Sequence, residues 1–299
     1  MRVRFSPPAP SIHPHAHVWL FCCFFNIYIV FYMQGSQTIV WLNFYPKTES
    51  GEKMNAKSKI IVALDVKTLD EIKNLVTTLN PYVGGFKVGL ELISEIGGPK
   101  VLDYVKSLGG KIFYDGKYSD IPNTTERASS SLNKPSVIMY NVHINSGKDS
   151  VKAAIKAAKD VNSNAKVLGV TVLTSIDEEE CRDIYNGASI EQQVTKFAHK
   201  GKEAGLDGII CSANDLVFLK KYPDLSRLLK VTPGIRSEWA PSNDQKRVAT
   251  PYEAILAGAD YLVIGRQITQ PPSEIGTPVD AAILTTKEIE QAIIKLQAR

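Results

Sequence analysis

Lys111-Ile-Phe-Tyr-Asp115-Gly-Lys117-Tyr-Ser-Asp120-Ile-Pro-Asn-Thr124 holds a β-rich run, a charged turn and a helix start within one short stretch. Lys111–Asp115 reads as a strand. Pro122 suits the first turn of a helix, where its missing N–H costs nothing, so Asp120 falls in the connecting loop. Strand, charged turn and helix in that order form the repeating unit of a parallel sheet. Asp115 and Lys117 are two residues apart, and on extended backbone that spacing points both side chains to one side. Taken alone, such a pair reads more readily as a surface ion pair at a strand end.

The same unit recurs along the chain. β-rich runs occupy Ile60–Asp65, Gly85–Gly89, Val137–His143, Val167–Val172, Gly208–Cys211, Leu228–Thr232 and Tyr261–Ile264. Between and after them lie amphipathic runs such as Leu69–Leu79, Lys148–Val161, Ile190–Ala204 and Val279–Leu296. In Lys148–Val161, Val151, Ala154, Ile155 and Ala158 recur at helical spacing. Eight such units predict an α/β protein closed as a (β/α)8 TIM barrel, with a doubly wound open sheet as the alternative. Polar or charged residues recur at the carboxyl ends of the strands: Asp65, Lys87, Asp115 with Lys117, His143, Thr174, Arg236 and Arg266. In a barrel those ends form the active-site face. Any one of them could be structural, but so many around one rim point to a site.

Composition narrows the function classes. The chain has 299 residues, 44% of them hydrophobic, and a net charge of +4. It has no basic stripe, so a nucleic-acid surface is not expected. Cys22, Cys23, Cys181 and Cys211 lack metal or redox spacing, which points to a reducing, cytoplasmic setting. Residues 1–53 differ from the rest: they hold six of the ten Phe and two of the three Trp, and no Asp. Val18–Met33 is an apolar run broken only by Asn26, shorter than the roughly 20 residues of a spanning helix. A membrane anchor and a targeting peptide are both possible readings of it, although no small-residue cleavage site follows. A third reading fits better. Gly51-Glu52-Lys53 can be encoded as GGA-GAA-AAA, which resembles a ribosome-binding sequence ahead of the Met54 codon. The expectation is therefore an early start assignment: residues 1–53 outside the fold, residues 54–299 the barrel, and no membrane association.

Asp-x-Lys-x-x-Asp-Ile-Pro-Asn-Thr resembles the signature of the orotidine-5'-phosphate decarboxylase family. The resemblance spans about residues 59–270. Ala63-Leu64-Asp65, Phe86-Lys87-Val88-Gly89, Val170-Thr-Val-Leu-Thr174-Ser175, Thr232-Pro-Gly-Ile-Arg236 and Val263-Ile-Gly265-Arg266 fall in the family's order. It implies a cofactor-free and metal-free decarboxylase that converts orotidine 5'-phosphate to UMP and carbon dioxide in pyrimidine biosynthesis. It also implies a homodimer with shared active sites. Lys87, Asp115, Lys117 and Asp120 would form a charge network, with Asp120 supplied by the other subunit and Lys117 protonating C6 of the pyrimidine. Asp115 would sit beside the departing carboxylate.

The resemblance extends to substrate recognition. Asp65 and Lys87 would contact the ribose hydroxyls, with Thr124 closing that side from the partner. Thr174 falls where the family contacts the pyrimidine, with neighbouring Ser175 as the other hydroxyl. Arg236, Gln245, Gly265 and Arg266 would serve the phosphate, at the usual phosphate position of such barrels. The polar stretch from Ser237 to Arg247, containing Gln245, is expected to act as a lid. His143 keeps two readings, a base or ligand and a hydrogen-bonded structural residue. His199 reads as surface. The related alternative is a sugar-phosphate decarboxylase or aldolase of the same barrel group. By resemblance those enzymes carry a metal-binding glutamate where this chain has Lys87, and a protonated lysine cannot ligate Mg2+.

Overall fold

In the computed structural model, the described residues are 16–23, 26–33, 42–44, 55–132, 134–241 and 248–298. The chain divides into two units, Met1–Asn55 and Ala56–Arg299. In the first, β1 (Ala16–Cys23), β2 (Asn26–Met33) and β3 (Leu42–Phe44) form an antiparallel sheet in that order. The described residues of the apolar run Val18–Met33 thus lie in two paired strands and not in a helix. Its aromatic and β-branched residues fit a pleated surface better than a helical one. Among the described residues no helix is long and apolar enough to cross a membrane.

The second unit is a closed barrel of eight parallel strands. They are β4 (Ile60–Ala63), β5 (Gly85–Val88), β6 (Ile112–Tyr118), β7 (Val137–His143), β8 (Lys166–Val170), β9 (Gly208–Ile210), β10 (Leu229–Thr232) and β11 (Tyr261–Ile264). Closure comes from β11 pairing with β4, Leu262 opposite Ile60 and Ile264 opposite Val62. That pairing excludes the open sheet. Helices Leu69–Leu79, Lys148–Val161 and Ile190–Ala204 run over the residues their periodicity predicts. The last, Pro278–Gln297, extends the expected run by one residue at each end. Capping boxes at Thr68/Glu71, Ser189/Gln192, Thr250/Glu253 and Thr277/Asp280 satisfy N–H groups that a helix start leaves unpaired.

Strand alternation divides the core in two. Ile61, Ala63, Phe113, Met139, Leu168, Val231 and Val263 fill the barrel interior. Their neighbours Ile60, Val62, Phe86, Val88, Ile112 and Val167 belong to the larger cluster between strands and helices. The interior parity runs on to the site. Asp65 follows Ile61 and Ala63, Asp115 follows Phe113, and Asn141 and His143 follow Met139. The apolar plug thus sets the level at which the polar residues begin.

Leu102, on the helix Gly98–Ser107, is fully buried, whereas Ile294 on the last helix is 48% exposed. Leu102→Ala should lower unfolding free energy by about 2–5 kcal/mol through lost burial and a cavity. Ile294→Ala should cost less than about 0.5 kcal/mol. Urea titrations of the two variants check the contrast.

Candidate active site

Four side chains at the carboxyl ends of β4, β5 and β6 make a row of alternating charge. Lys87 Nζ lies 3.2 Å from Asp65 Oδ1 and 3.6 Å from Asp115 Oδ2, and Lys117 Nζ lies 2.7 Å from Asp115 Oδ1. Gly89 makes room for this, because a Cβ there would come within 2.6 Å of the Lys87 ammonium. Burial pushes the Asp115 carboxyl up. The charges of Lys87 and Lys117, with hydrogen bonds from Lys117 and Asn141, outweigh burial and hold it below the ordinary carboxylate value.

Asp115 and Lys117 do share a side, but regular alternation is not what puts them there. Lys117 adopts a left-handed φ of 49°, and β6 bulges against β7, with Tyr114 opposite Tyr140 and Tyr118 opposite Val142. Four residues on β6 therefore span two on β7. Gly116 permits the bulge: a Cβ there would sit 2.5 Å from the ring of buried Tyr114. A non-glycine residue at positive φ carries strain that its surroundings must hold in place. Asn141 does the holding. Its Oδ1 accepts the Lys117 N–H at 2.8 Å, and its Nδ2 donates to Asp115 Oδ1 at 2.6 Å. Asn141 is not among the residues singled out from sequence, although the alternation Met139-x-Asn141-x-His143 pointed it inward.

Lys87, Asp115 and Lys117 line a cavity of about 170 Å3 together with Phe113, Val170, Val172, Ile210 and Val263, and Thr174, Cys211 and Pro233 also line it. Thr174 is on its wall; Ser175 is exposed and not part of the lining. His143 is half-buried. Burial and the charge of Lys117, opposed by Asp115, push its pKa down. His199 pairs with Asp224 at 3.4 Å on the flank of the barrel.

The remaining expected residues stand apart from the row. Gly265 borders its Asp65 end, since a Cβ there would lie 3.4 Å from Asp65 Oδ2. Arg266 opens the helix Arg266–Thr269 and is exposed. Arg236 follows β10, and one guanidinium nitrogen donates to the Pro241 carbonyl at 2.9 Å. Trp239 Nε1 donates to Glu288 Oε1 at 3.0 Å, so the start of the expected lid is tied to the last helix. Gln245 lies outside the described residues. Asp120 and Thr124 are exposed and do not join the row within this chain; Asp120 Oδ1 accepts the Ile121 N–H at 2.7 Å.

Residues 58–276 match the family described as "Orotidine 5'-phosphate decarboxylase / HUMPS family". The chain belongs to the orotidine 5'-phosphate decarboxylase / HUMPS family. An orotidine 5'-phosphate decarboxylase of Moorella thermoacetica is 43% identical over 244 residues, 80% of this chain and 94% of the relative. One of Idiomarina loihiensis is 44% identical over 216 residues, 72% of this chain and 92% of the relative. A crystal structure of the orotidine 5'-phosphate decarboxylase of Lactobacillus acidophilus superposes with a TM-score of 0.64 at 32% identity, covering 77% of this chain and 98% of that one. The family match falls within the barrel unit, and residues 1–57 precede it.

Asn141→Ala should destabilise the barrel by about 1–3 kcal/mol, because it strands the part-buried Lys117 N–H and removes one bond to a buried carboxylate. A carboxyl held below its unfolded value stabilises the fold above that value, 3.8 for Asp115, and the contribution is lost as pH falls through the lower folded value. Asp115→Asn removes this term. Urea midpoints at pH 7 and pH 3 should therefore differ less in that variant than in the parent.

Proposed function

We propose that this chain decarboxylates orotidine 5'-phosphate to UMP and carbon dioxide, with the row Asp65–Lys87–Asp115–Lys117 as its catalytic centre. The observation that carries the reading is Lys117, an ammonium pinned to a buried carboxylate at 2.7 Å at the edge of a small cavity. The carboxylate holds the ammonium at the cavity's edge, where a proton donor must stand. When the bond between C6 and the carboxylate breaks, the electron pair stays on C6 and carbon dioxide leaves. Lys117 delivers a proton to C6 and is recharged from solvent. Positive charge already stands where the carbanion develops, with no reorganisation needed at that moment. Asp115 faces the substrate carboxylate, and their repulsion is relieved as carbon dioxide departs, a preference for transition state over ground state. The chemistry uses no cofactor and no metal ion.

Asp65 and Lys87 hold the ribose hydroxyls, Thr174 the pyrimidine, and Arg236, Gln245, Gly265 and Arg266 the phosphate. Asp120 and Thr124 serve the site of a second copy in a homodimer. The support for this is their exposure beside Ile121, an apolar side chain left 65% exposed at the tip of the same turn. The enzyme works in the cytoplasm, in keeping with buried cysteines, Cys181 and Cys211, that lack metal or redox spacing. Residues 1–53 are dispensable for activity.

Purified protein should consume orotidine 5'-phosphate, followed by its absorbance, and EDTA should leave the rate unchanged. A strict Mg2+ requirement would instead favour the sugar-phosphate branch of the barrel group. Lys117→Ala should lower the rate by about a hundredfold or more, the usual scale for a general acid. Protein beginning at Met54 should keep the full rate. Ile121→Asp should shift sedimentation from dimer to monomer and cost activity, because it places a charge in an apolar contact.

A further inference from the structure

Gln267 follows Arg266 and is only 2% exposed. A carboxamide buried that deeply is costly unless it is hydrogen-bonded. Its bonds all leave its own helix. Oε1 accepts the Ser237 N–H at 2.9 Å, and Nε2 reaches Ser237 Oγ at 3.2 Å and Thr285 Oγ1 at 3.4 Å. Ser237 is also 2% exposed, and Thr285 is fully buried.

The position of this fork matters. Strands β10 and β11 pair at Val231–Tyr261 and Thr232–Leu262, and the ladder stops there. Beyond it each segment turns back on itself. Arg236 N–H bonds the Ala249 carbonyl and Ala249 N–H bonds the Gly234 carbonyl, while Gln270 N–H bonds the Arg266 carbonyl. Two hydrogen bonds between Ser237 and Gln267 then join the segments again. One arginine stands next to each end of the fork: Arg236 beside Ser237, and Arg266 beside Gln267.

We propose that Gln267 is a positioning residue that fixes the spacing of Arg236 and Arg266 so that together they receive one phosphate dianion. The inference rests on the reading of those arginines as the phosphate site. Gln267 itself touches no substrate. Two bonds to one serine set both the distance and the orientation of the segments, whereas one bond would leave a swivel. Two cationic side chains pay less ordering entropy on binding when their backbones are already spaced.

Gln267→Met keeps the volume and removes the polar fork. In the full-length protein, the dissociation constant of UMP and the KM for orotidine 5'-phosphate should rise about tenfold or more, the scale of a small misplacement of a binding group. The inhibition constant of uridine, which has no phosphate, should stay within about twofold, since no contact to the nucleoside changes. Unchanged UMP binding, or equal losses for UMP and uridine, would overturn the proposal. Ser237→Ala removes the hydroxyl arm, together with that hydroxyl's bond to Glu288, and keeps the backbone arm; it should show the same selective loss at about threefold, on the scale of one net hydrogen bond. It decides the matter if Gln267→Met does not fold. Arg236→Ala and Arg266→Ala separate the two levels. If they leave UMP binding unchanged, the phosphate assignment itself fails. If they weaken it and the Gln267 and Ser237 variants do not, only the positioning role fails.

Discussion

Asp115 is a carboxylate buried at the mouth of the barrel, and the arrangement around it follows from the need to keep it charged there. An ion removed from water loses several kcal/mol of hydration, and only close partners of opposite charge and good hydrogen bonds offset that loss. Lys87 and Lys117 supply the charge, and Asn141 and Lys117 supply the hydrogen bonds. These groups come from the ends of three adjacent strands, β5, β6 and β7. They meet because parallel pairing of neighbouring strands brings those ends to one level. The same packing that excludes water from the interior makes each Coulomb contact stronger than it would be on an open surface.

The bulge at Gly116–Lys117 is the local expression of this constraint. A regular strand would carry Lys117 onward along the pairing with β7. The left-handed turn at Lys117 instead folds its ammonium back to within 2.7 Å of Asp115. The strained backbone is held by Asn141 from the neighbouring strand, so one amide both fixes the lysine and satisfies the carboxylate. The ends of β10 and β11 show the same economy. Where the ladder between β10 and β11 stops, a single buried glutamine takes over the spacing of the two segments.

Much of this was legible in the residues. Alternating strand and helix patterns gave eight units, and β7, β11 and three of the helices span the residues their patterns predict. Rim charges and the Asp115–Lys117 motif marked the site before any contact was known. Other features were not legible. The apolar run Val18–Met33 is hydrophobic enough for several fates, and pairing with β3 through Ile27–Phe44 and Ile29–Leu42 is a non-local event. Asn141 and Gln267 read as ordinary polar residues, because a carboxamide acquires a role only from what lies across from it.

The sequence by itself determined the barrel, the family and the identity of the charged residues, because hydrophobic period and residue chemistry are properties of neighbours along the chain. Only the tertiary structure decided that Lys87, Asp115 and Lys117 form one row and that Asn141 locks it. It alone showed that the spacing of Asp115 and Lys117 works through a bulge, and that Gln267 bridges the two arginine segments. Each of these depends on residues 20 or more positions apart being brought within hydrogen-bond reach. Lateral pairing of β4 with β5, β5 with β6, β6 with β7 and β10 with β11 creates that proximity, and periodicity along the chain cannot encode it.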